Sequence, residues 1–441
     1  MAIIGAFCFP GTGHLNPFTA LARRLNQRGH RVILFGIADT EARVRAAHVD
    51  FCRIGVEDYP LGTLQQLDDK LSRLRGLDTF RFTVERVRNH ARMVLRDGPA
   101  AVEACGVEAL LVDEADMAGS VAEHLGLPFI SIACFPPLMQ NDAMPPFCFG
   151  WPFSPGPLAR LRNQLGFRLL SRVASPIFNV VNAQRREWGL QPYVRSTDAL
   201  SPLAQITQLP EALEFPIPNL PANLHYVGPL VDERVRPAVP FPWEKLDGRP
   251  LVYGSMGTIQ NGSEYIFKAI AEASSTLDCQ LVLSMGGSRE PSELGPLAGD
   301  PIVVRYAPQL ELLRRASAVV THAGLNTTLE SLAEGVPLVA IPQGNDQPGV
   351  AARIAHHHAG VVVPLRKLSV PRLRSAIHAV LTDNTYCAAA RRIRAAIRET
   401  DTVEVAADVI ENALGLQLAR LRPRDPSLRH RGFSQAGWRS R

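Results

Sequence analysis

Two short stretches decide the fold: IIGAFCFPGTG at residues 3–13 and LVYGSMG at residues 251–257. In each, a run of apolar residues typical of a buried strand leads into a glycine-containing turn, and a helical pattern follows. Strand, tight turn and helix in this order open a parallel β-α-β unit. Because the same opening occurs twice, we expect two domains of the same kind.

Strand-like and helix-like stretches alternate after each of these starts. In the first half, strand patterns occur at 32–35, 109–112 and 129–132, and the second half has five more between helical segments. This alternation predicts an α/β fold with two Rossmann-like, doubly wound parallel-sheet domains facing each other across a cleft. Ligands of such sheets bind at the carboxyl ends of the strands, where loops and helix N-termini lie.

Proline content places the domain boundary. The stretch from Val227 to Pro250 contains five prolines, counting Pro250 itself, and prolines at this density predict a stiff, extended connector. The predicted division is a first domain at 1–235, a linker at 236–249, a second domain at 250–415 and a disordered, arginine-rich tail at 416–441.

Composition excludes several classes of protein. With 441 residues, of which 46% are apolar and 20% charged, the chain is long enough for two domains. Its seven cysteines contain no C-x-x-C pair, so we expect neither a disulfide framework nor a cysteine zinc site. No apolar run reaches the ~18 residues of a membrane span, and the start lacks the basic region of a secretion signal. We therefore expect a cytoplasmic protein.

The net charge of +5 does not indicate nucleic-acid binding. Residues 420–441 contain seven arginines and one acidic residue, so the rest of the chain is close to neutral. The sequence D-E-A-D at 113–116 also occurs in helicases, but the phosphate-binding motif G-x-x-x-x-G-K-[ST] is absent. We expect no nucleic-acid partner.

A candidate acid–base pair lies at two strand ends of the first domain. His14 follows the first glycine turn at the entry of a helix, and Asp113 directly follows the strand pattern at 109–112. A neutral imidazole can accept a proton from a substrate hydroxyl, and a carboxylate bonded to its other nitrogen fixes the tautomer and stabilises the imidazolium. We predict that His14 is a general base oriented by Asp113.

The strongest functional signal is a helix N-terminus in the second domain. A strand pattern at 318–321 leads into the turn 322–324, where a helix begins. The N–H groups of its first turn, its dipole and the hydroxyl of Thr327 suit a diphosphate. One turn later, the carboxylate of Glu330 can bind the two hydroxyls of a ribose.

From residue 306 to 347 the sequence resembles the nucleotide-sugar signature of family 1 glycosyltransferases, W-x-P-Q … H-x-G-x-N-[ST]-x-x-E … [DE]-Q. The resemblance extends over nearly the whole chain, from about residue 11 to 415. It implies the two-domain GT-B fold and an inverting transfer that needs no metal and no cofactor. UDP-glucose would be the co-substrate.

The same resemblance implies roles for individual residues. His14 and Asp113 are the catalytic pair of an acceptor-binding first domain, and the second domain binds the nucleotide sugar. The implied donor-binding residues are Gly13, Ser255, Tyr306, Gln309, His322, Gly324, Asn326, Thr327, Glu330, Asp346 and Gln347. Tyr306 stands where tryptophan usually stacks on the base, and this substitution leaves the choice between UDP and dTDP open.

Short matches in both domains give a closer resemblance to bacterial carotenoid glucosyltransferases, notably at 125–131, 201–206, 227–230 and 346–351. This resemblance implies glucose transfer to a hydroxyl of a hydrophobic acceptor, such as the carotenoid zeaxanthin. A dTDP- or UDP-sugar transferase acting on a polyketide, a phenol or another secondary metabolite is the alternative. A nicotinamide dehydrogenase using the first glycine turn would leave the signature from residue 306 to 347 unexplained.

Two apolar segments of the first domain bear on the acceptor. The loop 135–157 contains seven prolines, and a loop this apolar is expected to pack on the core or to line an acceptor cleft. Its predicted acceptor-binding residues are Phe135, Met139, Phe147, Phe149 and Trp151. In the basic amphipathic stretch 158–173 we expect the leucines to be buried within the domain. The alternative is peripheral contact with anionic lipid on the inner face of the cell membrane.

Overall fold

The first glycine turn opens a parallel sheet that forms the first domain. A computed structural model describes residues 1–74, 77–236, 238–257, 264–287 and 290–416. The strands of this sheet are β1 (Ile3–Phe7), β2 (Arg31–Gly36), β3 (Asp50–Arg53), β4 (Ala109–Asp113), β5 (Phe129–Ala133), β6 (Gln205–Thr207) and β7 (Leu224–Tyr226). Its helices are α1 (Thr12–Gln27), α2 (Ala38–Ala46), α3 (Thr63–Arg73), α4 (Leu77–Ala104), α5 (Gly119–Leu125) and α6 (Pro157–Glu187).

The second glycine turn opens the sheet of the second domain. Its strands are β8 (Leu251–Ser255), β9 (Gln280–Ser284), β10 (Ile302–Val304), β11 (Ala316–Thr321), β12 (Leu338–Ala340) and β13 (Gly360–Val362). The helices that follow in the chain are α7 (Glu264–Ser274), α8 (Gln309–Leu313), α9 (Leu325–Ala333), α10 (Gln347–His356), α11 (Val370–Thr382), α12 (Asn384–Arg398) and α13 (Thr402–Ala413).

Both sheets are doubly wound. Over the described residues the strand orders are β3-β2-β1-β4-β5-β6-β7 and β10-β9-β8-β11-β12-β13, and every recorded strand pair is parallel. The first strand of each domain therefore lies inside its sheet, next to the point where the strand order reverses. The predicted fold class, two Rossmann-like domains across a cleft, is confirmed.

Burial on both faces explains why the inner strands are apolar throughout. In β4, Leu111 belongs to a core cluster with α1, whereas Leu110 and Val112 belong to a cluster with α4 and α5 on the other face. All five residues of β4 are buried, including the final Asp113. A carboxylate in this place needs hydrogen-bond donors, and the loops after β1 and β4 and the first turn of α1 supply them.

The last helix of the described residues, α13, crosses back to the first domain. Ala406, Ala407 and Ile410 of α13 belong to the same core cluster as Leu21 and Leu25 of α1. By sequence α13 lies in the predicted second domain, 250–415, but its apolar side chains pack against α1. Of the predicted tail 416–441, all but the first residue lies outside the described residues.

Ion pairs surround this contact between α1 and α13. Arg24 is 3.0 Å from a carboxylate oxygen of Asp401, and Arg28 is 2.7 Å from Asp408. Both arginines also pair with Glu404. The contact is therefore an apolar strip with charged margins, the usual pattern of a surface helix.

The leucines at the start of α6 are exposed, so the expectation that they are buried within the domain is wrong. Leu158, Leu161, Leu165 and Leu169 all face solvent. The reason is that this half of α6 packs on the first domain through another side, where Asn163 and Gly166 are buried and Gly166 lies against Trp151. None of the helices in the described ranges is both long and apolar enough to cross a bilayer.

We expect Ile410→Ala to destabilise the first domain although residue 410 follows the second domain in sequence. Ile410 is fully buried against α1, so the substitution should lower the free energy of unfolding by about 2–5 kcal/mol. Hydrogen exchange should accelerate in α1 and β1. The matched control is Ile377→Ala in α11, fully buried in a core cluster of the second domain, which should accelerate exchange in β8 and β11 instead. Identical exchange patterns for the two variants would contradict this assignment.

Candidate active site

A cavity of about 450 Å³ lies between the two domains. Loops after β1 and β4 line it from the first domain, and loops after β8, β11 and β12 line it from the second. It brings together the predicted catalytic His14 and all the predicted donor-binding residues, which are Gly13, Ser255, Tyr306, Gln309, His322, Gly324, Asn326, Thr327, Glu330, Asp346 and Gln347. Residues from two domains and more than 300 sequence positions apart thus share one site.

His14 and Asp113 form the predicted pair. Nδ1 of His14 lies 2.5 Å from Oδ2 of Asp113, whose carboxylate is fully buried, whereas the imidazole is 23% exposed. The backbone N–H groups of Phe9 and Ala115 also donate to this carboxylate, at 3.3 and 3.0 Å. The carboxylate is fixed on both sides, so it holds the ring of His14 with Nε2 as the nitrogen left for a substrate.

The pKa of His14 is raised above its usual value. Burial alone would lower this pKa, but the charge of Asp113 and its hydrogen bond to the ring outweigh burial. The rings of Phe9 and Phe135 lie 5.7 and 6.2 Å from the imidazole. His14 is therefore a base whose basicity is increased by a carboxylate, and aromatic side chains surround its ring.

The pKa of His322, the predicted diphosphate ligand, is shifted in the opposite direction to that of His14. Burial lowers its pKa to about 4, although a backbone hydrogen bond with Ser255 acts against this shift. Its ring fits between two glycines: a Cβ at Gly257 would lie 2.7 Å from the imidazole, and one at Gly324 would lie closer still. Near pH 7 His322 is a neutral N–H donor rather than a cation.

The turn from β11 into α9 is unusual in its backbone. Ala323 has φ of +67° although it carries a Cβ, and it is fully buried. Such backbone strain in non-glycine residues often marks a functional site. The turn brings the first turn of α9, with Asn326 and Thr327, to the cavity. The N–H groups of a helix's first turn have no partner within the helix and suit an anion.

Glu330, the predicted ribose ligand, already has two protein partners. Nε2 of Gln309 donates to one of its carboxylate oxygens at 2.6 Å, and Arg236 pairs with the other. The side chain of Gln309 is held in turn by the hydroxyl of Tyr253, 3.1 Å from its Oε1. The glutamate is almost fully buried. A ribose that bonds to Glu330 would therefore either displace Arg236 from the carboxylate or bind beside it.

Arg236 is a site residue that sequence reasoning missed. It belongs to the predicted linker, lies 94 positions from Glu330 in the chain and lines the same cavity. Nothing in its local sequence distinguishes it from Arg249, the other arginine of that segment. Only the path of the connector brings it to the donor side of the cavity.

Asn326, another residue predicted to bind the nucleotide sugar, makes hydrogen bonds across the cleft. Nδ2 of Asn326 donates to the backbone carbonyl of Gly13 at 2.8 Å, and its Oδ1 accepts from Gln208 at 2.7 Å. The first turns of α1 and α9 are thus directly bonded to each other. This contact places the predicted base and the predicted phosphate site in adjacent turns.

Asp346 and Gln347 lie at the start of α10. Burial raises the pKa of Asp346 to about 6, although the charge of His14 acts to lower it. Oε1 of Gln347 accepts hydrogen bonds from the backbone N–H groups of Gln343 and Gly344, at 2.8 and 3.1 Å. These bonds hold the loop between β12 and α10 against the first turn of α10. Asp346 is ionised above about pH 6 and can then accept hydrogen bonds from sugar hydroxyls.

The predicted acceptor residues divide into two groups. Phe135, Met139 and Phe147 line the cavity, but Phe149 and Trp151 are not among its lining residues. Their rings lie 4.4 Å apart, and Trp151 packs against α6. The prediction had no means of distinguishing them, since all five belong to one apolar loop. Further apolar lining that it missed comes from α4 and α6, namely Phe80, Val84, Val87, Phe167, Leu170 and Phe178.

Glu114 is a second polar group of the cavity that sequence reasoning did not assign. Its Oε2 accepts a hydrogen bond from the N–H of Leu138 at 2.7 Å, whereas Oε1 is buried without a hydrogen-bond partner among the described residues. Burial raises the pKa of Glu114 to about 8, and the charge of Asp113 adds to this effect. The side chain is therefore largely protonated at pH 7, and a protonated carboxyl can donate to a ligand oxygen.

Within the described residues, one group of side chains has the spacing of metal ligands: His14, Asp113 and Cys134, with ligand atoms within 4.8 Å of one another. Nδ1 of His14 already bonds to Asp113. Burial, with the charge of Asp113, raises the pKa of Cys134 well above that of an ordinary thiol. A protonated thiol is a poor ligand, so these residues fit a proton-transfer site better than a metal site.

Comparison with known proteins decides the family. Residues 192–402 match the family described as UDP-glucoronosyl and UDP-glucosyl transferase, and residues 8–144 match the glycosyltransferase family 28 N-terminal domain. The chain is 30% identical to a zeaxanthin glucosyltransferase of Pantoea ananas, over 94% of this chain and 96% of that protein. It belongs to the family 1 glycosyltransferases.

The predicted family and enzyme class are thereby confirmed. A zeaxanthin glucosyltransferase of Pseudescherichia vulneris is 31% identical, over 92% of this glycosyltransferase and 96% of its own length. Among solved structures, the kitacinnamycin glycosyltransferase superposes with a TM-score of 0.73 at 23% identity, covering 94% of this chain and 99% of its own. That similarity supports the GT-B fold alone.

The two active-site histidines of the glycosyltransferase should protonate at widely different pH values. We expect His14 to protonate at a higher pH than an ordinary histidine and His322 to stay neutral down to about pH 4, as followed by NMR of the imidazole resonances. In Asp113→Asn the midpoint of His14 should fall, because the charge that favours the imidazolium is gone. His14→Gln and His322→Gln assign the two signals. An unchanged midpoint for His14 in Asp113→Asn would show that the carboxylate does not set its pKa.

Proposed function

We propose that this glycosyltransferase transfers glucose from UDP-glucose to a hydroxyl of a hydrophobic acceptor, namely a hydroxylated carotenoid such as zeaxanthin, with inversion at the anomeric carbon. The observation that carries the proposal is the His14–Asp113 pair at 2.5 Å, in a cavity with apolar side chains from the first domain and the donor signature from the second. The names of the two zeaxanthin glucosyltransferase relatives support the choice of acceptor.

The donor would lie along the second domain. Its diphosphate would meet the first turn of α9 and the imidazole of His322, and its ribose would meet Glu330. Its glucose hydroxyls would bond to Asp346 and Gln347. This arrangement needs no metal, because N–H groups stabilise the diphosphate. We propose no cofactor beyond the co-substrate.

The reaction would be a single displacement. Nε2 of His14 takes the proton of the acceptor hydroxyl while that oxygen bonds to the anomeric carbon, and UDP leaves from the opposite face of the sugar. Asp113 stabilises the imidazolium as it forms. Negative charge on the leaving diphosphate is stabilised by the N–H donors of His322 and α9, the kind of term that usually dominates catalysis. Because the base must be neutral, turnover falls as pH drops through the raised pKa of His14.

The acceptor would enter through the apolar part of the cavity. Phe135, Met139 and Phe147 would contact its hydrocarbon part, together with the side chains of α4 and α6. The protonated Glu114, whose Oε1 lacks a partner among the described residues, would donate a hydrogen bond to an acceptor oxygen. We place the reaction in the cytoplasm, as the composition of the sequence predicts.

Tyr306 favours one alternative. A tyrosine ring offers less stacking area than the tryptophan usual at this position, and this leaves room for another base. A dTDP-sugar transferase acting on a polyketide or a phenol is therefore the second candidate.

The proposed function is tested by transfer of radiolabel from UDP-glucose into organic-extractable product, with zeaxanthin and simple hydroxylated lipids and phenols as acceptors. We expect label in a glucosylated zeaxanthin fraction. Label in a phenol alone would reject the carotenoid acceptor, and release of free glucose without lipid product would do the same. Transfer from a dTDP-sugar but not from UDP-glucose would reject the donor and favour the alternative.

We expect His14→Ala to lower turnover by about 10²–10⁴-fold, the usual contribution of a general base, while UDP affinity in calorimetry stays the same. Reaction rates under saturating donor measure the first effect. The control is His378→Ala, which removes an exposed imidazole of α11 and should leave turnover unchanged. Near-normal turnover in His14→Ala would exclude His14 as the base.

Removal of Glu330 should weaken UDP binding through the ribose. We expect Glu330→Ala to reduce the binding free energy of UDP by about 1–3 kcal/mol, and to reduce that of 2′,3′-dideoxy-UDP much less, since this ligand lacks both hydroxyls. The control Glu334→Ala removes a carboxylate at the end of the same helix that does not line the cavity. An equal loss for both ligands would mean that Glu330 acts through Arg236 rather than through the ribose.

A further inference from the structure

The N-terminal half of α6 has an exposed apolar face. Leu158, Leu161, Leu165 and Leu169 are 82%, 54%, 54% and 53% exposed, and their spacing of three or four residues puts them on one side of the helix. We call these four side chains the leucine face. They make up four of the eleven large apolar side chains that are exposed among the described residues. An apolar strip of this kind in water marks a contact surface.

Positive charge borders the leucine face. Arg168 and Arg172 are exposed and follow Leu165 and Leu169 by three residues, so each lies beside a leucine. The sequence from 157 to 186 contains no acidic residue. On the neighbouring loop, Asp142 accepts a hydrogen bond from Gln164 at 2.8 Å. Exposed leucines with arginines at their margin are typical of helices that lie in the surface of an anionic bilayer.

Two other partners that could cover the leucine face, the C-terminal segment and a second copy of the chain, fit its charges less well than an anionic lipid surface does. The segment 417–441 lies outside the described residues, and its seven arginines would meet the arginines beside the leucine face. A symmetric dimer through the leucine face would bring the same arginines of both copies together, because such an interface pairs one patch with itself. An anionic lipid surface complements both the leucines and the arginines.

The opposite side of α6 faces the cavity. Phe167, Leu170 and Phe178 are part of its apolar lining. A bilayer on the leucine face would therefore be separated from the cavity by about the diameter of one helix, ~10 Å. A hydrophobic molecule dissolved in the lipid would have a short path into the apolar part of the cavity.

We propose that the leucine face of α6 docks on an anionic lipid bilayer, with the helix lying along the membrane surface. The apolar side chains enter the boundary between headgroups and acyl chains, and Arg168 and Arg172 bind the phosphates. The docking proposal depends only on the leucine face. The further idea that docking lets the enzyme take a lipophilic acceptor from the bilayer rests on the proposed function.

The test is co-sedimentation of the full-length protein with vesicles of phosphatidylcholine, with and without phosphatidylglycerol. We expect binding to be about tenfold stronger with the anionic lipid, and about tenfold or more weaker in the combined variant Leu161→Ser, Leu165→Ser and Leu169→Ser. The matched control combines Val194→Ser and Leu203→Ser, which are exposed apolar residues outside the leucine face, and should bind like the unmodified protein.

Unchanged UDP affinity of the triple variant shows that it is folded, because the substituted side chains are exposed. Equal vesicle binding by the triple variant and the unmodified protein overturns the proposal, since the arginine-rich tail would then account for the binding. A dimer in analytical ultracentrifugation that the triple variant dissociates overturns it as well. Loss of vesicle binding in the triple variant alone supports docking, whichever acceptor the transfer assay identifies.

Discussion

The site depends on one geometric constraint: parallel strands end at the same edge of their sheet. β1 pairs with β4 in a register that sets Phe7 opposite Val112, so the turn with His14 and the carboxylate of Asp113 must emerge side by side. β8 pairs with β11 so that Ser255 lies opposite Thr321, which brings His322 next to Ser255. With the two sheets facing each other, these edges form the two walls of one cavity.

Burial in this cavity gives similar groups opposite protonation behaviour. Of the described residues, two histidines line it, and of these two only His14 has a carboxylate to stabilise its cation, so its pKa rises while that of His322 falls. The carboxyl groups of Asp346 and Glu114 are also buried, and burial raises their pKa values. The site can thus hold a base, a neutral donor and a protonated carboxyl at the same pH.

Much of the fold and part of the site could be predicted because they depend on local patterns. Apolar runs ending in glycine turns predicted the strands, and the strand ends predicted the neighbours His14 and Asp113. Arg236 could not be predicted in this way, because its contact with Glu330 depends on the path of a linker. Periodicity indicated an apolar face on α6 but not that this face is exposed. For the same reason the sequence did not show that α13 packs on the first domain.

The return of α13 has a mechanical consequence. The domains are joined covalently twice, once by the proline-rich connector and once by the few residues between Arg398, where α12 ends, and Thr402, where α13 begins. Two bodies tied at two separate points can rotate about the line through those points, but they cannot slide or twist freely. With α13 anchored on α1, the second connection restrains the second domain against the first, and it limits how far the turns of α1 and α9 can slide past each other.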